Sequence, residues 1–168
     1  IIYTFHFYEP FLFTHQGAAW VGAATATRGI PFPYEKATMP AMHPASAITF
    51  GESLYKNYFS EGQNDYLRFF LEAVKAWSLE HQLPVFCGEW GSHYLADQES
   101  RCRHARAVMQ YLQELNIPHC YWEWDRNFSF FEALNPGVYN LPNCMEDIWN
   151  LAIPSAPTTL AEDLQVLV

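Results

Sequence analysis

The sequence predicts an α/β fold with parallel strands. Three short apolar runs rich in β-branched and aromatic residues alternate with helix-length amphipathic segments, and that order places strands side by side through right-handed crossovers. Half of the 168 residues are hydrophobic and 17% are aromatic, which is enough for a packed core and excludes a disordered chain.

The first strand is Ile1-Ile2-Tyr3-Thr4-Phe5-His6-Phe7-Tyr8, which stops at Glu9-Pro10. It is apolar at nearly every position, as expected of a strand buried on both faces in a parallel sheet. From Phe11 to Gln63 no period holds, and Pro31, Pro33, Pro40 and Pro44 interrupt the chain. This stretch is expected to be a long loop with room for one short helix, and a loop of that length in a compact domain is usually functional or mobile.

Asp65 to about His81 carries Leu67, Phe70, Leu71 and Val74 at helical spacing, with Asn64 or Asp65 available as N-cap. A second strand, Leu83 to Glu89, ends at Trp90-Gly91. A helix over Ser100–Leu115 aligns Ala105, Val108, Met109, Leu112 and Leu115 on one stripe. Ile117 to Trp124 is the third strand, and Asn143 to about Ala152 a final helix. The expected division is a domain over 1–152 and a tail over 153–168, docked or flexible.

Charge narrows the partners. With 9 Lys+Arg against 18 Asp+Glu the net charge is -9, which disfavours nucleic acid and anionic membrane surfaces. No apolar run reaches the roughly 20 residues of a membrane span. The chain opens on Ile1 without a signal peptide, read as a processed, trimmed or cloned end. The four cysteines Cys87, Cys102, Cys120 and Cys144 show no C-x-x-C spacing, so buried free thiols are expected rather than zinc ligands or a disulfide framework. The histidines His15, His43, His81, His93, His104 and His119 lack a matching ligand cluster, and no metal or cofactor is expected.

Ligands of parallel α/β folds bind at the carboxyl ends of the strands. That rule selects His6, Tyr8 and Glu9 from the first strand and Glu89 and Trp90 from the second. From the third it selects Trp122, Glu123, Trp124 and Asp125. Alternation points His6 and Tyr8 the same way, and likewise Trp122 and Trp124. Aromatic planes that bind pyranose faces, set beside carboxylates, are what glycoside chemistry requires. The competing structural readings are a carboxylate that caps a helix for Glu89, core aromatics for Trp122 and Trp124, and satisfied core polar residues for His6 and Tyr8.

Three motifs in this order carry a resemblance. His6-Phe7-Tyr8 with Glu9-Pro10-Phe11-Leu12-Phe13-Thr14-His15-Gln16-Gly17, then Pro84-Val85-Phe86-Cys87-Gly88-Glu89-Trp90-Gly91, then Tyr121-Trp122-Glu123-Trp124, resemble strands six to eight of glycoside hydrolase family 5. This is the cellulase family of retaining (β/α)8 barrels. The resemblance runs over about residues 1 to 152 and implies a partial TIM barrel of three parallel βα units, since a complete barrel takes about 250 residues. It implies that Glu89 is the nucleophile of retaining β-1,4-glucan hydrolysis. Tyr8 and His6 would match the family's His-x-Tyr pair, and Trp122 the platform under the sugar. Trp124, Trp90, Glu9 and Asp125 are the further candidate sugar contacts.

Nothing in the chain reads Asn-Glu-Pro, the family's acid/base motif, and Phe128-Ser129-Phe130-Phe131 stands where a Gly-rich turn is common. Among nearby carboxylates, Glu123 is expected to point away from Trp122, which leaves Glu9 and Asp125 as substitute acids. The alternative to an active hydrolase is an inactive barrel remnant or sugar-binding fragment. Unpaired sheet edges and an uncovered barrel-interior face predict a homo-oligomer, most simply a two-fold dimer. A secreted or periplasmic bacterial protein is the expected setting.

Overall fold

A computed structural model describes residues 1–135 and 138–152. The tail expected over 153–168 lies outside the described residues.

Two parallel strands form the centre, β1 (Tyr3–Phe7) and β2 (Val85–Trp90). Their register shifts at Gly88: Phe5 lies opposite Cys87, yet His6 lies opposite Glu89. The extra residue is a β-bulge, which turns the strand and re-aims the side chain that follows. Glycine suits the position, because a Cβ there would sit 2.7 Å from the Thr4 hydroxyl oxygen.

The third expected strand is present in place but not in regularity. Cys87 and His119 form an isolated parallel bridge. Cys87 N–H donates to the Pro118 carbonyl (2.9 Å), Cys120 N–H to the Cys87 carbonyl (3.0 Å) and Trp122 N–H to the Trp90 carbonyl (2.8 Å). Pro118 has no N–H to extend the ladder. β1 also departs from expectation: Tyr3, Thr4 and His6 are exposed and only Phe7 is buried. Among the described residues only β2 pairs with it, so its apolar run lies along an open edge.

The 11–63 stretch holds more structure than its proline-broken sequence suggests. It contains α1 (Phe11–Thr14), two 3₁₀ turns (Gly22–Thr25 and Pro44–Ile48) and an eleven-residue helix, α2 (Gly51–Glu61). Tyr58 anchors α2, its ring fully buried and its hydroxyl donating to the Pro31 carbonyl at 2.6 Å. Inside the loop Gln16 takes the place of a strand partner: its amide donates to the Phe13 and Ile30 carbonyls and its oxygen accepts from Ile30 N–H.

Helix α3 (Asn64–His81) buries Leu67 and Leu71, and its N-cap is Gln63, with no side-chain bond, rather than Asn64 or Asp65. Helix α4 (Gln98–Glu114) starts two residues before the expected Ser100, because the Asp97 carboxylate accepts from Ser100 N–H at 2.8 Å. A hairpin not foreseen in the sequence, β3 (Glu132–Asn135) and β4 (Val138–Asn140), precedes α5 (Asn143–Ala152). α3 packs on β2 and α4, and α4 on α5.

The cysteine expectation is overturned in one pair. Cys102 on α4 and Cys144 on α5 form a disulfide, while Cys87 and Cys120 remain free. Spacing along the sequence carried no sign of this pairing, since it depends on two helices packing side by side. Among the described residues no helix is long and apolar enough to cross a membrane.

Candidate active site

Glu89 sits where the bulge in β2 turns it toward β1. The Tyr8 hydroxyl donates to Glu89 Oε2 at 2.9 Å, and His6 Nδ1 lies 3.3 Å from the same oxygen. Among the described residues no hydrogen bond engages Oε1. The Glu89 side chain is one-quarter exposed, so solvent and ligand reach it. Burial, then the hydrogen bond to Glu89, push the Tyr8 phenol far above its usual range, so it remains a proton donor to the carboxylate.

Tyr8 is itself held from behind. Thr14 Oγ1 donates to the Tyr8 carbonyl at 2.6 Å, and the rings of His15 and Phe128 meet the phenol edge-on at 5.2 and 5.5 Å. Burial drops the His15 imidazole to about 4, and burial with the charge of Arg101 drops His93 likewise to about 4, so both are neutral near pH 7.

Trp122 lies beside this group with its indole 42% exposed, and its backbone N–H is tied to the Trp90 carbonyl, one residue past Glu89. Gly91 permits this approach: a Cβ there would collide with the Trp122 carbonyl oxygen. Trp124 is more exposed still, with its ring 4.3 Å from Phe131. The peptide bonds Glu9-Pro10, Phe32-Pro33 and Trp122-Glu123 are cis.

Three candidates do not join the group. Trp90 is fully buried, its Nε1 donates to His119 Nδ1 at 3.1 Å, and its ring packs on Tyr121; it is a core residue rather than a sugar contact. Glu9 lies past the end of β1, where its charge and that of Glu61 bear on Tyr66. Burial raises its carboxyl above the usual range, with a bond from Phe11 N–H and the charge of Glu61 as its further influences, and its carbonyl accepts from buried His104. Asp125 is exposed and makes no hydrogen bond or ion pair among the described residues. The charge of Glu123, expected to face away from Trp122, adds a small upward influence on the Tyr8 phenol.

Sequence reasoning assigned no role to Trp20, Phe128 or Arg101. Trp20 is 57% exposed and its ring stands 5.3 Å from His93 and 6.0 Å from Phe128, extending the aromatic wall. It falls within the stretch where periodicity fails, and a lone tryptophan among small residues was the available signal.

The family model described as cellulase (glycosyl hydrolase family 5) matches residues 1–128. Endoglucanase 3 of Fibrobacter succinogenes is 33% identical over 138 residues, covering 79% of this chain and 21% of that protein. Endoglucanase C of Acetivibrio thermocellus is 28% identical over 137 residues, covering 75% of this chain and 36% of its own. A hyperthermophilic endo-β-1,4-glucanase solved in complex with substrate superposes with a TM-score of 0.64 at 25% identity, over 89% of this chain and 39% of that one. The chain thus spans between about a fifth and two-fifths of the length of these relatives.

Proposed function

The chain belongs to glycosyl hydrolase family 5, and from that membership we propose that it carries the nucleophile side of a retaining β-1,4-glucan hydrolase. Glu89 is the nucleophile, Tyr8 and His6 orient it, and Trp122 and Trp124 receive the sugar. The observation that carries this reading is the convergence of Tyr8 and His6 on one oxygen of a solvent-reachable carboxylate. The Tyr8 hydrogen bond and the His6 ring at Oε2 fix the carboxylate plane and leave Oε1 to attack the anomeric carbon as the glycosidic bond breaks. Water then releases the glycosyl-enzyme with retention.

Retaining hydrolysis also needs a second carboxyl about 5–5.5 Å away to protonate the leaving group. Among the described residues Tyr8 and His6, not a carboxyl, are the side chains on Glu89, and we assign that acid to residues outside these three βα units. The same observation favours a second reading, sugar binding without turnover of natural substrates. An activated 2-fluoro-cellobioside with a dinitrophenolate leaving group separates them, because that group departs without an acid. A mass increment of one fluorocellobiosyl unit on the Glu89 peptide, absent from Glu89→Gln, supports the nucleophile; an unlabelled parent with measurable cellotetraose binding supports binding alone.

Two further parts of the reading rest on the open edges and the disulfide. Along β1, Tyr3, Phe5, Phe70, Val74 and Trp77 line an apolar groove of about 410 Å³. Beside the third strand, Leu112, Ile117, Cys120, Phe130 and Ile148 line another of about 800 Å³. Such faces support self-association into a homo-oligomer, and a monomeric mass by light scattering would refute it. The Cys102–Cys144 bond supports an oxidising, extracytoplasmic setting, hence secretion.

A further inference from the structure

Arg101, the fourth residue of α4, is buried without a carboxylate partner among the described residues. A guanidinium out of water must find acceptors, and this one finds two of its three in a single loop. Its Nη2 donates to the carbonyls of Phe128 (3.1 Å) and Ser129 (2.5 Å), its Nε to Ser92 Oγ (3.4 Å), and its plane lies 5.5 Å from the Phe130 ring. The Tyr121 hydroxyl adds a second donor to the Phe128 carbonyl at 2.6 Å.

The loop so held runs over 124–131 and is closed on itself. Ser129 Oγ donates to the Trp124 carbonyl and accepts from Phe131 N–H, and Tyr94 N–H donates to the Asn127 carbonyl. It carries one ring that faces the site and one that stands in solvent. Phe128 meets Tyr8, His15, His93 and Trp20, and Trp124 stands exposed with its ring on Phe131.

We propose that Arg101 is a positioning residue of this site: it clamps the 124–131 loop and thereby sets the Phe128 wall behind Tyr8. The proposal deepens the glycosidase reading and rests on it for what the wall serves. Arginine is required rather than any cation, because the planar fork reaches two successive carbonyls and a hydroxyl at once, whereas a lysine ammonium is a point charge on a flexible stem. Arg101 never touches sugar; it acts through backbone oxygens.

The test is Arg101→Lys in the whole chain, with Tyr121→Phe as companion, read by amide hydrogen exchange and by tryptophan-fluorescence titration with cellotetraose. In Arg101→Lys the amides of Tyr94, Ser129 and Phe131 exchange at least about tenfold faster, as loss of a charge-assisted bond implies, while those of Cys87 and Trp122 stay within about twofold. Cellotetraose affinity falls about tenfold in step with the loop. Tyr121→Phe, which leaves the guanidinium in place, loosens the loop less. A merely structural residue would lose protection in the loop and the strands together, and that pattern overturns the proposal, as does an unchanged loop. A parent chain that binds no cellotetraose defeats the glycosidase reading instead, and the exchange arm still decides the clamp.

Discussion

Removal of the Cys102–Cys144 bond gives the most calculable perturbation of this chain. The bridge closes a loop of sequence separation 42 and joins α4 to α5. The loop-closure relation gives about 4 kcal/mol of stability at 25 °C for a loop of that size. For a domain whose whole stability is on the order of 5–15 kcal/mol this is a large share. Near the melting midpoint it corresponds to about 8–16 °C, taking roughly 2–4 °C per kcal/mol for a chain of this size. The variant is Cys102→Ala with Cys144→Ala, since Cys102 is 7% exposed and serine would bury an unpaired hydroxyl there. The assay is guanidinium unfolding of parent and variant, each with and without reductant. Reductant destabilises the parent by about the calculated amount and leaves the variant unmoved. Thiol titration of the denatured, unreduced parent finds two of the four cysteines reactive, Cys87 and Cys120. Four reactive thiols, or a parent indifferent to reductant, would refute the reasoning.

Three other outcomes follow from the site and core. Tyr8→Phe removes a hydrogen bond to the Glu89 carboxylate, worth about 1.5–3 kcal/mol for a charged acceptor, and slows formation of the fluorocellobiosyl adduct by roughly 10- to 150-fold; an unchanged trapping rate would contradict the role of Tyr8. Gly91→Ala drives a methyl group into the Trp122 carbonyl, so cellotetraose quenching of tryptophan emission is lost while the far-ultraviolet circular dichroism is kept. His15, His93 and His104 are held neutral, with burial lowering each to about 4. The unfolded chain takes up these protons first on acidification, so stability is full above pH 6.5 and falls as pH drops toward 4. Denaturant midpoints measured from pH 7.5 to 4 check this, and a flat profile would oppose it.

Much of the fold was readable because the signal was periodic. Leu67 and Leu71 on α3, and Ala105, Val108 and Leu112 on α4, are buried as their spacing requires. α2 was obscured because its anchors are tyrosines and its start follows a run of prolines and 3₁₀ turns. Trp90 read as a ligand contact because motif position says nothing about burial, and the Tyr121 and His119 contacts that enclose it come from a different segment.

By itself the sequence determined the family, the parallel βα order, and the meeting of His6, Tyr8 and Glu89 at the strand ends, because strand alternation and ordered motifs are local properties. Tertiary structure alone decided that the bulge at Gly88 sets Glu89 opposite His6. It also decided that Cys102 meets Cys144 and that Arg101 reaches across to hold Phe128. Each of these depends on how separate segments come to lie against one another in the folded chain, and no spacing along it encodes that distance.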